Sequence, residues 1–413
     1  MKEQLQTIDE LLAKNEIRKA EALIARSLRL DLAAVTRAQL LFRRARVRLL
    51  LGRPEDALDD LQTIPTITAE NVKSPAMLEL LGDIYFARFE LASVGFADRN
   101  DTLRAQEKYN EIIQNYPRYT NLGWIYYQLG RTWITADETE KAIKCLQQAL
   151  ISPSHIGFLT AYCYERLGFI SFYEHRDLEI ALAFLNRAVD TYPAYSDKTW
   201  LIQVHILRSR VLRGIGDYES ALVAAKDALS LVSNHAEKRH NFPEALLGVA
   251  ELLAELENRD KEVVNVLQQF VQSVKKPLGV DVTWSRVNEM LGNAYFNLGQ
   301  YDSAIAAYTA ALQFNPDHPW ALSIYYRVAK SYYQQRAYND AINTINQLLD
   351  LVSSEDQIVN DYQVYDVLGN AYFALGRYEK AVEAYQIALQ IAPPNADNVG
   401  QIKSYYQLAS ERI

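Results

Sequence analysis

The chain has little of what staples a small secreted domain or threads a membrane. It holds two cysteines in 413 residues, Cys145 and Cys163, and both fall inside helical patterns. That excludes a disulfide framework and points to a reducing compartment. Its 12 prolines and 16 glycines leave no room for long linkers or low-complexity tracts. No uninterrupted apolar run approaches the ~18 residues of a membrane span. The first residues, MKEQLQTIDELLAKNEIRKA, lack the apolar centre of a signal peptide. A soluble, cytoplasmic protein is expected. Positive charge is in deficit too: the net charge is −8, which argues against nucleic acid or an anionic membrane as partner. Another protein or peptide is the partner to expect, with self-association left open.

Chemistry-bearing motifs are equally scarce. There is no phosphate-cradling G-x-x-x-x-G-K-[ST], no G-x-G-x-x-G, no H-E-x-x-H and no G-x-S-x-G. The six histidines are scattered; His235 and His240 form the one close pair, and no cysteine or carboxylate cluster joins them. The expectation is no enzyme, no metal and no cofactor. The cysteines are expected to pack as small apolar residues.

What is present in abundance is repetition. MLGNAYFNLGQYDSAIAAYTAALQFNP (Met290 to Pro316) and VLGNAYFALGRYEKAVEAYQIALQIAP (Val367 to Pro393) are near-copies, and Leu80 to Val94 (LLGDIYFARFELASV) repeats their first half. Small residues recur where two helices must cross closely (Gly292 with Ala304, Gly369 with Ala381), because ridge-into-groove packing there leaves no space for a long side chain. Pro316 and Pro393 follow the second helix, which proline cannot continue. This spacing resembles the tetratricopeptide repeat, a helical hairpin that stacks with its neighbours. The resemblance covers nearly the whole chain and implies an all-α, right-handed α-solenoid superhelix of about ten hairpins with a capping helix at 398–412. Most of the 27 tyrosines are then core residues, Tyr109, Tyr308 and Tyr385 among them.

The expected organisation is a single solenoid over 1–413. Repeats are better kept at 75–193 and 285–395. Unit seven is degenerate, with Glu262 where alanine belongs, and makes 240–280 a candidate hinge. Both ends read as complete units, so a whole protein is expected. Residues Arg88 to Asn100 are an insertion with Phe89, Leu91, Val94 and Phe96: either two lengthened helices packed together, or an apolar loop for a partner.

Repeat proteins of this kind use the concave face of their first helices to hold partners. Projected onto that face, the chain supplies Arg43, Arg46, Trp124, Tyr127, Arg131, Tyr162, Phe169, Arg210, Arg213, Asn293, Tyr326, Arg327, Lys330 and Asn370. Aromatic and arginine side chains are common interface anchors, and the resemblance implies that Asn293 and Asn370 grip a ligand's backbone through donor and acceptor. The family's carboxylate clamp for chaperone tails is not matched: Glu289, Arg327, Gln363 and Val367 stand where Lys, Asn, Lys and Arg belong. Helix 37–53 carries Arg37, Arg43, Arg44, Arg46, Arg48 and Arg53 with no acid between Leu32 and Pro54. It is either a docking site for an acidic or phosphate-bearing ligand or is neutralised by Glu55, Asp56, Asp59 and Asp60. The function expected is a non-catalytic interaction scaffold or adaptor holding a peptide or helical segment of a partner. The alternative is a ligand- or peptide-sensing regulatory protein controlling a partner enzyme or transcription factor. Co-purification separates them: a stable protein partner supports the first, a bound peptide the second.

Overall fold

A computed structural model describes residues 2–14, 16–64, 74–92, 98–194, 198–234, 242–351, 361–393, 396 and 398–413. Among the described residues the chain is all-α, with no strand. It divides into two compact units, Met1–Asp197 and Lys198–Ile413. The first holds α1 (Lys2–Ala13) with α2 (Ile17–Ser27), α3 (Ala34–Leu50) with α4 (Pro54–Gln62), α5 (Pro75–Leu91) with α6 (Arg99–Asn115), α7 (Leu122–Thr135) with α8 (Thr139–Ile151), and α9 (Leu159–Tyr173) with α10 (Leu178–Thr191). The second opens with a 3-10 turn, Lys198–Trp200, then α11 (Leu201–Ile215) with α12 (Tyr218–Asn234), α13 (Phe242–Glu255) with α14 (Asp260–Ser273), α15 (Val282–Asn297) with α16 (Tyr301–Phe314), α17 (Ala321–Gln334) with α18 (Tyr338–Leu351), α19 (Tyr362–Ala374) with α20 (Tyr378–Ile391), and α21 (Val399–Ser410).

Each pair is an antiparallel hairpin, and in eight of the ten the turn has one local cause. A single residue in the left-handed region ends the first helix: Gly52, Gly216, Gly299 and Gly376 in four hairpins, and Asp137, Arg176, Asn258 and Arg336 in four others. Glycine takes that conformation without steric cost. Helix starts are signalled by Ser74, Asp98, Asp177, Asp281 and Asp361, whose side chains accept from the exposed N–H groups of the first turn.

The crossing alanines Ala142, Ala181, Ala221, Ala304, Ala341 and Ala381 have no exposed surface. Opposite them the glycines are needed for contact. A Cβ on Gly292 would lie 2.5 Å from the Tyr308 ring, one on Gly369 2.6 Å from Tyr385, and one on Gly82 2.5 Å from Tyr109. Those three tyrosines are fully buried. In two hairpins whose second helix offers an aliphatic residue, alanine takes the glycine's place and both are buried, Ala45 with Leu61 and Ala329 with Ile345, whereas Gly130 and Gly168 stand opposite Leu146 and Leu185.

The chain divides at 197/198, and the degenerate hairpin α13–α14 lies inside the second unit. Val263 and Leu267 fill its core, one residue later than the alignment on Glu262 assumed, while Glu262 turns out to Arg259 at 2.6 Å. In the insertion, the described parts are two long helices, α5 and α6, with Phe89 packed into the core and Leu91 exposed. Val94 and Phe96, and the pair His235 and His240, lie outside the described residues.

Candidate functional site

Successive first helices touch one another as well as their own partners: α3 with α5, α5 with α7 and α7 with α9 in the first unit, and α11 with α13, α13 with α15 and α17 with α19 in the second. The residue after the crossing glycine or alanine therefore stands on a row shared by neighbouring hairpins. What occupies that row is set by the second helix. Tyr109 donates to Asp83 Oδ1 at 2.8 Å, Tyr308 to Asn293 Oδ1 at 2.7 Å and Tyr385 to Asn370 Oδ1 at 2.8 Å. Each buried tyrosine needs an acceptor for its hydroxyl, and the residue beside the glycine supplies it.

In the first unit the row is already engaged. Asp83 also accepts from Gln128 Nε2 at 3.0 Å and from Trp124 Nε1 at 3.5 Å. One turn earlier, Glu79 accepts from Tyr119 at 2.5 Å and from Asn121 at 2.9 Å, and Ser154 donates to Asn121 at 2.8 Å. Three hairpins are thus joined by one polar chain that the sequence reading did not anticipate. Burial and the nearby Asp83 push the Glu79 carboxyl up to about 7, against the pull of Tyr119, Asn121 and Arg46. Burial raises Asp83 as well.

A pH dependence follows. Folded Glu79 holds its proton up to about pH 7 and the unfolded residue only to 4.5, so the folded state binds more protons between those values. Stability is greatest at the acid end and falls as pH rises through the folded value. Between pH 5 and pH 8 the urea-derived stability of the first unit should drop by about 2 kcal/mol, after allowance for partial solvation. Glu79→Gln should flatten that decline; an equally steep decline in the variant would assign it to other groups.

The expected aromatic anchors are used internally. Tyr127 is buried, with its centroid 5.3 Å from Trp124 and 5.9 Å from Tyr162, so it is a core residue and not an open groove contact. Burial pushes its hydroxyl up to about 12. Tyr162 is half-buried and packs on Phe158 at 4.6 Å; Phe169 packs on Tyr173 at 4.5 Å. Arg131 donates to Gln128 Oε1 at 2.9 Å, pairs with Glu90 and lies over the Phe86 ring. Cys145 and Cys163 are free, and burial pushes their thiols up to about 11 and about 12.

The arginine-rich helix is largely neutralised. Arg43 forms a fork on Asp9 at 2.7 and 2.8 Å. Arg44 and Arg48 both reach the buried Asp60, Arg44 at 3.0 Å through Nε and Arg48 at 2.9 Å. Arg53 pairs with Glu21. Docking of an acidic ligand on Arg43, Arg44, Arg48 and Arg53 is therefore set aside, because their charges are met by acids on α1, α2 and α4. Arg46 contributes to the field at Glu79.

In the second unit Arg210 pairs with Glu244 at 2.8 Å, and Arg213 with Glu251 at 2.9 Å and Glu255 at 3.1 Å. These arginines are half-exposed and belong to pairs between α11 and α13. Trp124 and Tyr127 belong to the other unit.

The last hairpins are different. Asn293 has its oxygen fixed by Tyr308, and among the described residues no partner is seen for its Nδ2. Its orientation is therefore fixed with Nδ2 open as a donor, while the oxygen keeps a second lone pair beside the one Tyr308 uses. Asn370 is closed on both sides, by Tyr385 and by Asp366 Oδ1 at 2.9 Å, and Asp366 also accepts from Asn398 at 2.9 Å. Arg327 is half-buried beside the Tyr308 hydroxyl. Lys330 lies 5.8 Å from both the Phe296 and Tyr326 ring centres, and Tyr326 donates to Gln363 at 3.3 Å.

Among the described residues no group of three or more metal-ligating side chains occurs, and no helix is long and apolar enough to cross a membrane.

The tetratricopeptide repeat family matches residues 285–354 and 367–395. RNA polymerase II-associated protein 3 of Homo sapiens is 27% identical over 168 residues, 41% of this chain and 24% of that protein. Small glutamine-rich tetratricopeptide repeat-containing protein 2 of Mycosarcoma maydis is 30% identical over 105 residues, 25% of this chain and 27% of that protein. The chain spans about a quarter of the length of these relatives. Among solved structures, a tetratricopeptide repeat protein from Parabacteroides merdae is 15% identical, with a TM-score of 0.40 over 70% of this chain and 98% of that one.

Proposed function

The chain is a tetratricopeptide-repeat protein, and from that premise we propose that it is a non-catalytic scaffold which holds an extended segment of a partner protein on the first helices of its last three hairpins. One observation carries this reading. Along α15 and α17, Asn293, Tyr326, Arg327 and Lys330 remain half-buried on one row, and Asn293 is locked as a donor with its Nδ2 free of partners among the described residues. A locked donor costs little to order on binding, and it selects an acceptor, such as a backbone carbonyl. Arg327 and Lys330 favour an acidic side chain beside it. Asn370 and Asp366 act as a fixed wall rather than as a grip. Trp124, Tyr162, Phe169 and Arg131 fall to a structural role in the first unit.

The test compares proteins recovered with the tagged full chain and with its N293A/R327E/K330E variant from the native host. A protein recovered in stoichiometric amount with the first and lost with the second is the expected result. Equal recovery from both folded proteins would overturn the assignment to this row. Recovery of a free peptide in place of a protein would favour the sensing alternative.

A further inference from the structure

Four large apolar side chains stand open on one edge of the 198–413 unit. The connections α14–α15 (residues 274–281) and α16–α17 (residues 315–320) each lead from a second helix into the next first helix, so both lie on the same edge of the stack. They are joined there: Asp281 N donates to Phe314 O at 2.8 Å, and the Lys276 ammonium lies 5.5 Å from the Phe314 ring centre. On the first connection and the helix start after it, Leu278 is fully exposed, Val280 71% exposed and Val282 67%. On the second, Trp320 is 64% exposed. Single exposed apolar residues are ordinary, whereas four on two joined loops mark a contact surface. The second loop is stiff. Pro316 and Pro319 restrict its backbone, His318 Nδ1 accepts from Trp320 N at 3.0 Å, and His318 Nε2 lies 3.3 Å from Glu289. The backbone that carries Trp320 is therefore already ordered, which lowers the cost of covering its ring.

The charges around the patch select what covers it. Lys275 and Lys276 stand exposed on the first loop and Asp317 on the second, and none of them has an oppositely charged partner among the described residues. Asp281 is already used as the cap of α15, accepting from Trp284 N at 2.9 Å. A basic segment meets the two lysines. An acidic segment meets Asp317, and an anionic bilayer meets it on a chain whose net charge is −8. The surface that fits has an apolar centre, an anion facing the lysines and a cation facing Asp317. The patch itself has that composition. A second copy turned about a two-fold axis therefore sets the lysines of each chain toward the aspartate of the other.

We propose that this edge is the interface of a two-fold homodimer, with Leu278, Val280, Val282 and Trp320 at its centre and Lys275 and Lys276 facing Asp317 across it. The inference goes beyond the scaffold reading and uses none of the residues of its row. Leu278, which its own chain leaves uncovered, is buried only by the second copy, and that burial supplies part of the driving force. The unpaired charges set the register, because any other rotation leaves them unmatched or brings like charges together.

The test is sedimentation velocity of the full chain up to about 100 µM, above the micromolar end of standard-size interfaces. The native protein should sediment at twice the mass of one chain. Leu278→Asp should weaken pairing about tenfold or more, because a charge replaces a buried aliphatic group in both copies. K275E/K276E and Asp317→Lys should each weaken it as well, since like charges then face each other at both ends. An equimolar mixture of those two variants should restore the dimer, because opposite charges meet again. All the substituted positions are exposed, and circular dichroism checks that each variant is folded. N293A/R327E/K330E should pair as the native protein does; loss of pairing there would move the contact to the row and overturn the patch. A native chain that stays single, a dimer unchanged by Leu278→Asp, or a mixture that stays single would also overturn it. If the single native chain floats with phosphatidylcholine–phosphatidylserine vesicles and Leu278→Asp does not, the patch belongs to a bilayer instead.

Discussion

Gly292→Ala should destabilise the second unit by about 2 kcal/mol, and adding Tyr308→Leu should restore part of that loss. The glycine has a Tyr308 ring atom 2.5 Å from where a Cβ would stand, far inside van der Waals contact. Overpacking of a close-packed core costs roughly 1–3 kcal/mol. Tyr308 cannot retreat, since it is fully buried and its hydroxyl is tied to Asn293 at 2.7 Å. Leucine at 308 alone leaves unfilled volume and releases Asn293, at a cost of about 1–3 kcal/mol. Together the two changes recreate the pairing of Ala45 with Leu61, which the same chain packs without exposure of the alanine. Urea denaturation of the four proteins of the cycle gives the coupling. A loss in the double variant smaller than the sum of the singles by about 1 kcal/mol is expected. Strict additivity would mean that the glycine is not there for the tyrosine.

That relation explains how far the sequence could be read. The hairpins were legible because local spacing dictates them: the crossing alanines, the left-handed glycines at 52, 216, 299 and 376, and the prolines after the second helices each act within one hairpin. The tyrosine lock was legible in principle. Tyr109, Tyr308 and Tyr385 each share a hairpin with Asp83, Asn293 or Asn370, whereas hairpins with Leu61, Leu146 or Ile345 place Arg46, Arg131 or Lys330 at that point. The candidate site was legible only as a row of positions. Which members stay open depends on partners 32 to 45 residues away, such as Asn398 on Asp366 or Gln128 on Asp83. Distances in sequence of that order vary with each inserted residue, so no fixed period announces them. Tyr127 was misplaced for the same reason: the ring could turn to either side of α7, and packing against Trp124 and Tyr162 decides it.

The arginine-rich helix turns on one carboxylate, and the prediction with the largest cost is made there. Asp60 is 2% exposed and stands between Arg44 and Arg48, which are themselves mostly covered. Two fixed cations share one buried acid, so its removal strands both without a counterion in a region of low dielectric. Asp60→Ala should therefore destabilise the first unit by about 3–5 kcal/mol. Asp60→Asn keeps the shape and an acceptor oxygen and should cost less. Replacing Asp9, the more exposed partner of Arg43, should cost no more than about 1 kcal/mol. Urea midpoints of the three variants at neutral pH order these expectations. The second unit should melt unchanged in all of them, which separates a local loss from general misfolding. An Asp60→Ala loss as small as that of the Asp9 variant would mean that Arg44 and Arg48 find water or another acid once Asp60 is gone. The helix would then carry free positive charge after all, and docking of an acidic partner on it would have to be reconsidered.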